Sequence, residues 1–152
     1  MDLLTIAALT GLPIRRLRYA LEHGLLPGAE KASRGHRVTR TFTDFEAFGI
    51  ACAAALLHGG LRRPLVHRCM AELLRPSGAR GPRNGLLHLL QASSGGAVLD
   101  VADGQYLRVV IGEQKKTRWQ PLRTDQGSSL VEPLAVLRLD AAALRDALRS
   151  RP

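Results

Sequence analysis

The sequence predicts an α+β protein, and three observations support that fold class. In the first half, apolar residues recur at the three- and four-residue spacing of buried helix faces. In the second half, two β-rich runs, AVLDVA and QYLRVVIG, flank the turn-forming pair Asp103–Gly104. A Pro/Gly/Arg-rich segment, RPSGARGPRNG, lies between the halves. We therefore predict a helical domain at 1–75, a linker at 76–85 and a small α+β module closed by a helix at 86–152.

Residues that favour the ends of helices mark the limits of the first two helices. Thr5 is the predicted N-cap of the first helix, and Gly11 interrupts the apolar pattern after it. Pro13 suits the first turn of the second helix, which Gly24 ends. Two helices joined by a tight glycine turn are typical of a helix-turn-helix. The buried face of the second helix is predicted to hold Ile14, Leu17 and Leu21, and the opposite face Arg15, Arg18, Tyr19 and Glu22.

The third helix is the predicted centre of the first domain. Thr43 caps its start, and its run DFEAFGIACAAALLHGG is apolar almost all round. Pro64 begins a fourth helix, with its own apolar stripe. Cys52 and Cys69 lie in these two patterns, so we expect buried, reduced thiols. Four convergent metal ligands are not visible, so no metal or cofactor is expected. The predicted stripe of the fourth helix is Leu65, Val66, Cys69, Met70, Leu73 and Leu74.

The second module combines the hairpin with weaker signals. An edge strand is predicted in RWQPL, and a further strand, limited by Pro133, in LVEPLAVLRL. Asp140 is the predicted cap of a closing helix in the run AAALRDALR. Tyr106 and Trp119 could line a small pocket or pack in the core. Because the module has little apolar area for an independent core, it could dimerise, pack back on the fourth helix, or bind a partner or ligand.

Charge is concentrated in the first half of the chain. The net charge is +9, of which residues 1–85 carry +7 and residues 86–152 carry +2. Such asymmetry favours a polyanionic partner for the first half. No apolar run is long enough to cross a bilayer, and a signal-peptide pattern is not visible, so we expect no membrane association and a cytoplasmic protein. The histidines are scattered without a catalytic spacing, so we do not expect an enzyme.

The segment TGLPIRRLRYALEHGLLP and the sequence after it resemble a known family. Thr10–Gly11, Leu17–Tyr19, Glu22 and the GLLP at 24–27 match the turn and second helix of the MerR-type winged helix-turn-helix. Its wing is matched by Gly35–Arg37, Arg40, Phe42, Thr43 and Asp44. The resemblance covers about residues 3–74. Ala20 stands where the family has a second Tyr, the wing is longer than usual, and the long dimerising coiled coil is missing.

The resemblance implies a bacterial transcription regulator that binds double-stranded DNA at the nucleoid. We expect a homodimer, joined by residues 86–152 or through the third helix or the strands from Ala97 to Ile111. RNA polymerase and a small-molecule or protein effector are further candidate partners. Two alternatives remain, a protein-interaction adaptor and an architectural, excisionase-like DNA-binding factor of a phage or mobile element. The expected DNA-binding residues are Arg15, Arg16, Arg18, Tyr19, Arg34, His36, Arg37 and Arg40.

Overall fold

The computed structural model describes residues 1–27, 40–76, 85–113, 118–122 and 132–150. Within these ranges the chain forms six helices and a four-stranded antiparallel sheet, which confirms the α+β class. The chain divides into two compact units. The first unit consists of Met1–Ala71 and Ala143–Pro152, and the second of Glu72–Ala142.

Helices α1 (Leu3–Thr10) and α2 (Ile14–Glu22) are joined by a three-residue turn. The predicted cap at Thr5 is wrong, because the helix already begins at Leu3 and its cap lies three residues before Thr5. Asp2 is the N-cap, and its carboxylate accepts a hydrogen bond from the Thr5 backbone N–H at 2.8 Å. Gly11 ends α1 with φ 69°, in the left-handed region that glycine adopts without steric cost. The sequence therefore located the turn correctly but misplaced the first cap.

Helix α3 (Asp44–His58) forms the core of the first unit and contacts both α1 and α2. The predicted cap at Thr43 is confirmed as a full capping box, because Thr43 accepts from the Glu46 N–H while Glu46 accepts from the Thr43 N–H. Ten of its residues are buried, from Ala47 to Leu57. That burial lies within one protomer, so α3 has little apolar surface left for the self-association that its sequence suggested.

Helix α4 (Arg63–Leu74) follows the turn that Gly59 and Gly60 make. The predicted apolar stripe is confirmed, with Val66, Met70 and Leu73 fully buried. Both cysteines are free and buried, and this burial raises the pKa of each thiol to about 12. The thiols are therefore protonated and inert at neutral pH.

The beginning of the chain is tied to the residues that precede α3. The Phe42 N–H donates to the Met1 carbonyl oxygen at 2.7 Å, and the Met1 ammonium donates to the Phe42 carbonyl oxygen at 3.0 Å. Phe42 is buried at this junction. Most of the predicted wing, residues 28–39, lies outside the described residues.

The second unit contains α5 (Gly85–Ala92), which the sequence analysis did not predict, and a sheet of order β3-β2-β1-β4. The predicted hairpin turn is confirmed. Asp103 and Gly104 have φ values of 51° and 65°, and the Gln105 N–H donates to the Ala102 carbonyl oxygen at 2.9 Å. These are the features of a type I′ turn. The strands are β1 (Ala97–Ala102), β2 (Tyr106–Ile111), β3 (Gln120–Pro121) and β4 (Val136–Asp140). Helix α6 (Ala141–Arg149) follows β4, and from Ala143 onwards it belongs to the first unit.

The register of the sheet places apolar and polar residues on opposite faces. Leu99 and Val101 of β1 are buried and share one face with their cross-strand neighbours on β2 and β4. Asp100 points to the other face, opposite Arg108 on β2 and Arg138 on β4. The confirmed edge strand in RWQPL is β3, and the strand after Pro133 is β4.

Candidate nucleic-acid interface

The outward face of α2 is a row of arginines. Leu17 and Ala20 are buried on the side that packs against α3, which turns Arg15 and Arg18 to solvent. Arg16 lies half-buried beside them. Neither a hydrogen bond nor an ion pair engages any of these three guanidiniums within the described part of the chain. Three guanidiniums without an ion pair in the described residues therefore lie on one short helix, which also carries the exposed Glu22.

Tyr19 and His23 extend this surface along α2. Arg15, Arg16 and Tyr19 line a shallow depression of about 360 Å³. The rings of Tyr19 and His23 lie 4.1 Å apart between centroids with an interplanar angle of 49°. This ring contact positions Tyr19 beside the arginines, with its hydroxyl available as a hydrogen-bond donor.

Arg63, at the start of α4, reaches the C-terminal end of α2. Its Nη1 lies 3.1 Å from Nδ1 of His23, and because a guanidinium only donates, Nδ1 is the acceptor of this hydrogen bond. Arg62 next to it is exposed. The contact between His23 and Arg63 could not be predicted from the sequence, because 40 residues separate them and only the packing of the helices brings them together.

Arg40 occupies a different position from the α2 arginines. Its Nη2 lies 3.4 Å from Oε1 of Glu46, and its guanidinium carbon lies 4.8 Å from the centroid of the Phe42 ring. Arg40 and Arg18 both line a groove of about 310 Å³, together with apolar residues that include Leu4 and Ile14. Of the other predicted wing contacts, Arg34, His36 and Arg37 lie outside the described residues.

The sheet of the second unit carries a charged cluster of another kind. Asp100 is fully buried, and its carboxylate accepts from Nη2 of Arg108 at 2.7 Å and from Nε of Arg138 at 2.8 Å. Burial alone would raise the pKa of Asp100, but the hydrogen bonds and charges of Arg138 and Arg108 outweigh it and lower the pKa below its usual 3.8. The guanidinium of Arg108 also lies 4.2 Å from the ring centroid of Trp119. Trp119 is thus packed against a side chain of its own unit.

The two units also differ in charge. The sequence segments of the first unit carry +7 and those of the second carry +2. A group of three or more His, Cys, Asp or Glu side chains suited to a metal ion is not found in the residues that the structure describes. In the same residues, the longest apolar helices fall short of what a membrane span requires.

Comparison with protein-family models, curated proteins and solved structures finds no match to this chain.

Proposed function

We propose that this protein binds double-stranded DNA with sequence preference, as a bacterial transcription regulator of the MerR-like winged helix-turn-helix kind. The observation that carries the proposal is the row of Arg15, Arg16 and Arg18 on the exposed face of α2, without partners in the described chain. An unpaired cationic helix face is complementary to a polyanion. The higher charge of the first unit supports the same partner.

The dimensions of α2 suit the major groove. An α-helix with its side chains is about 10–12 Å across, which fits the major groove of B-DNA, about 12 Å wide, and the nine residues of α2 give it a length of about 14 Å. Arg15 and Arg18 project from the outer face, so they are the proposed base-reading residues, and arginine pairs bidentately with O6 and N7 of guanine. Arg16 and Tyr19 lie on the flank and are proposed to hold phosphates.

His23 and Arg63 extend the proposed phosphate contacts to the end of α2. Because His23 accepts the hydrogen bond from Arg63, the guanidinium keeps its full charge and has further N–H donors for a phosphate oxygen. The proposed roles of Arg34, His36 and Arg37 in a wing remain predictions from the sequence. Arg40 already contacts Glu46, so its contribution to DNA binding is proposed to be smaller than that of Arg18.

The salt dependence of DNA binding tests the proposal. Neutralisation of about 5 to 8 phosphates predicts a slope of roughly −4 to −7 for log affinity against log salt. Fluorescence anisotropy of the full chain should be measured on a random duplex and on duplexes selected from a random pool. Binding without any preference would favour an architectural factor. No binding at about 50 mM salt would refute the proposal and favour a protein-interaction adaptor.

A further inference from the structure

Glu22 lies on the same face of α2 as Arg15 and Arg18. At about 100° per residue, these three side chains fall within an arc of about 60°, opposite the buried Leu17 and Ala20. All three are exposed. They extend over about 10.5 Å of the helix axis, which is the rise of about three base-pair steps of DNA. The outward face of α2 therefore carries one carboxylate in line with its two exposed guanidiniums.

The carboxylate of Glu22 does not stabilise the helix that carries it. Glu22 is the last residue of α2, where the free carbonyl groups of the helix end carry a partial negative charge, so an anion is unfavourable there. Arg18 lies four positions earlier, but an arginine that precedes a glutamate is the weaker order for a helix ion pair, and the described structure shows no pair between them. A residue that departs from the local rules of helix stability without a compensating contact indicates a functional role.

A carboxylate on a surface that binds DNA is unfavourable unless it meets a hydrogen-bond donor, because the phosphates repel it. In the major groove, the N4 amino group of cytosine is such a donor, and glutamate accepts from it. Guanine and thymine present acceptors to the same groove, namely N7 and O6 of guanine and O4 of thymine. The N6 amino group of adenine lies beside the acceptor N7, which repels a carboxylate. Cytosine is therefore the base that suits Glu22.

We propose that Glu22 reads a cytosine in the major groove, and that α2 as a whole selects a run of G·C pairs. This inference rests on the proposed DNA binding, in which Arg15 and Arg18 each read a guanine. Helix α2, IRRLRYALE, contains neither asparagine nor glutamine, the residues that pair with adenine. Its exposed residues include no apolar side chain for the methyl group of thymine. The three contacts fall within about four consecutive base pairs.

A change in the preference for one base tests the role of Glu22. Glutamine has both an acceptor and a donor, and it pairs bidentately with N6 and N7 of adenine. Glu22→Gln should therefore change one position of the selected site from cytosine to adenine and leave the guanine positions as they are. Duplexes should be selected from a random pool with the full chain and with the variant, and the bound DNA sequenced. On duplexes that differ only at that position, anisotropy should show a preference of about tenfold for cytosine in the wild type and a preference for adenine in the variant.

Glu72→Gln is the matched control, because it makes the same substitution and removes the same charge in the second unit. It should leave every base preference unchanged. Urea unfolding provides a second control, since Glu22→Gln removes an unfavourable charge from the end of α2 and should not lower the unfolding midpoint. A changed base preference in the Glu22→Gln variant would then not come from a damaged fold.

Two results would overturn the inference and leave the proposed function intact, if the wild type selects a site. One is a Glu22→Gln variant that selects the same base at every position. The other is a variant that binds all duplexes more tightly by the same factor, because Glu22 would then act only by repelling phosphates. A wild type that binds no duplex, or binds all duplexes equally, would overturn the proposed sequence preference and this inference with it.

Discussion

The arginines of α2 and the arginines of the sheet face different surroundings. Arg108 and Arg138 share one buried carboxylate, that of Asp100, and their guanidiniums are fixed by it. Arg15 and Arg18 have no such partner in the described chain and extend into solvent. A guanidinium with a carboxylate partner acts within the fold, whereas one without a partner is available to an external anion.

This comparison distinguishes arginines that stabilise the fold from arginines that are available to bind an external anion. The number of arginines and their exposed fractions do not make this distinction. Arg138, for example, is 61 % exposed and still makes two hydrogen bonds to Asp100. What distinguishes the α2 arginines is that neither a hydrogen bond nor an ion pair holds them in the described structure, although Glu22 lies on the same helix and Asp2 lines the same groove as Arg18.

The largest expected effect follows from removing the shared carboxylate. Asp100→Ala leaves Arg108 and Arg138 side by side without their counter-charge. We expect a loss of about 3 kcal/mol in the free energy of unfolding, the lower end of the roughly 3–5 kcal/mol for breaking buried pairs, because both arginines retain contact with water. Urea unfolding followed by fluorescence of Trp119, the only tryptophan, measures this in the second unit.

Glu72→Gln is the control for that experiment. Glu72 pairs with Arg75, which is 69 % exposed, so its loss should cost no more than about 1 kcal/mol. If Asp100→Ala costs no more than this control, the sheet cluster does not stabilise the unit and the contrast with α2 is lost.

The second prediction concerns the unpaired arginines. Arg15→Ala and Arg18→Ala should each weaken binding to a selected DNA site by about 1–3 kcal/mol if each reads a guanine. The same changes should leave the free energy of unfolding within about 0.5 kcal/mol, because no contact within the described chain is lost. Anisotropy titrations and urea unfolding of the same samples measure both quantities.

Arg118→Ala provides the matched control, because Arg118 is an exposed arginine of the second unit. It removes the same charge and should leave DNA affinity almost unchanged. An equal loss for Arg118→Ala and Arg18→Ala would show that only the total charge matters, and that α2 does not read bases.

The features that the sequence predicted correctly are set by neighbouring residues. The predicted cap at Thr43 acts on a backbone N–H three residues later, and the turn at Asp103–Gly104 requires two adjacent residues that adopt positive φ. Such patterns are complete within one short segment, so they can be identified without knowing the rest of the fold.

The features that could not be predicted from the sequence depend on residues far apart in the chain. Asp100 and Arg138 are 38 positions apart, and His23 and Arg63 are 40 apart. Nothing in the local sequence marks Asp100 as buried, since an aspartate within a strand usually predicts a solvent-facing position. Its environment follows from the strand order, which places β1 between β2 and β4. The outward face of α2 could be predicted, because the periodicity of one helix determines which of its residues share a face.

The third and smallest expected effect is the response of Asp100 to acid. Because Arg138 and Arg108 lower its pKa in the folded protein, the unfolded chain, with an ordinary aspartate pKa of about 3.9, binds the proton first. At pH values above the unfolded pKa, the ionised Asp100 therefore contributes its full stabilisation of the fold. This contribution is lost as the pH falls through the lower, folded pKa.

Protonation should cost less than removal of the side chain, because a neutral carboxyl still accepts hydrogen bonds from both arginines. The measurement is urea unfolding of the wild type and of Asp100→Asn between pH 7 and pH 2.5, with Trp119 as the probe. Asp100→Asn removes the charge and also replaces one accepting oxygen by an N–H donor, which adds a pH-independent offset, while the other acidic groups cancel in the pH dependence of the difference. That difference in unfolding free energy should be constant from pH 7 to about pH 5 and should shrink below pH 4. A difference that stays constant to pH 2.5 would show that the charge of Asp100 does not stabilise the sheet, and the distinction between its arginines and those of α2 would then depend on geometry alone.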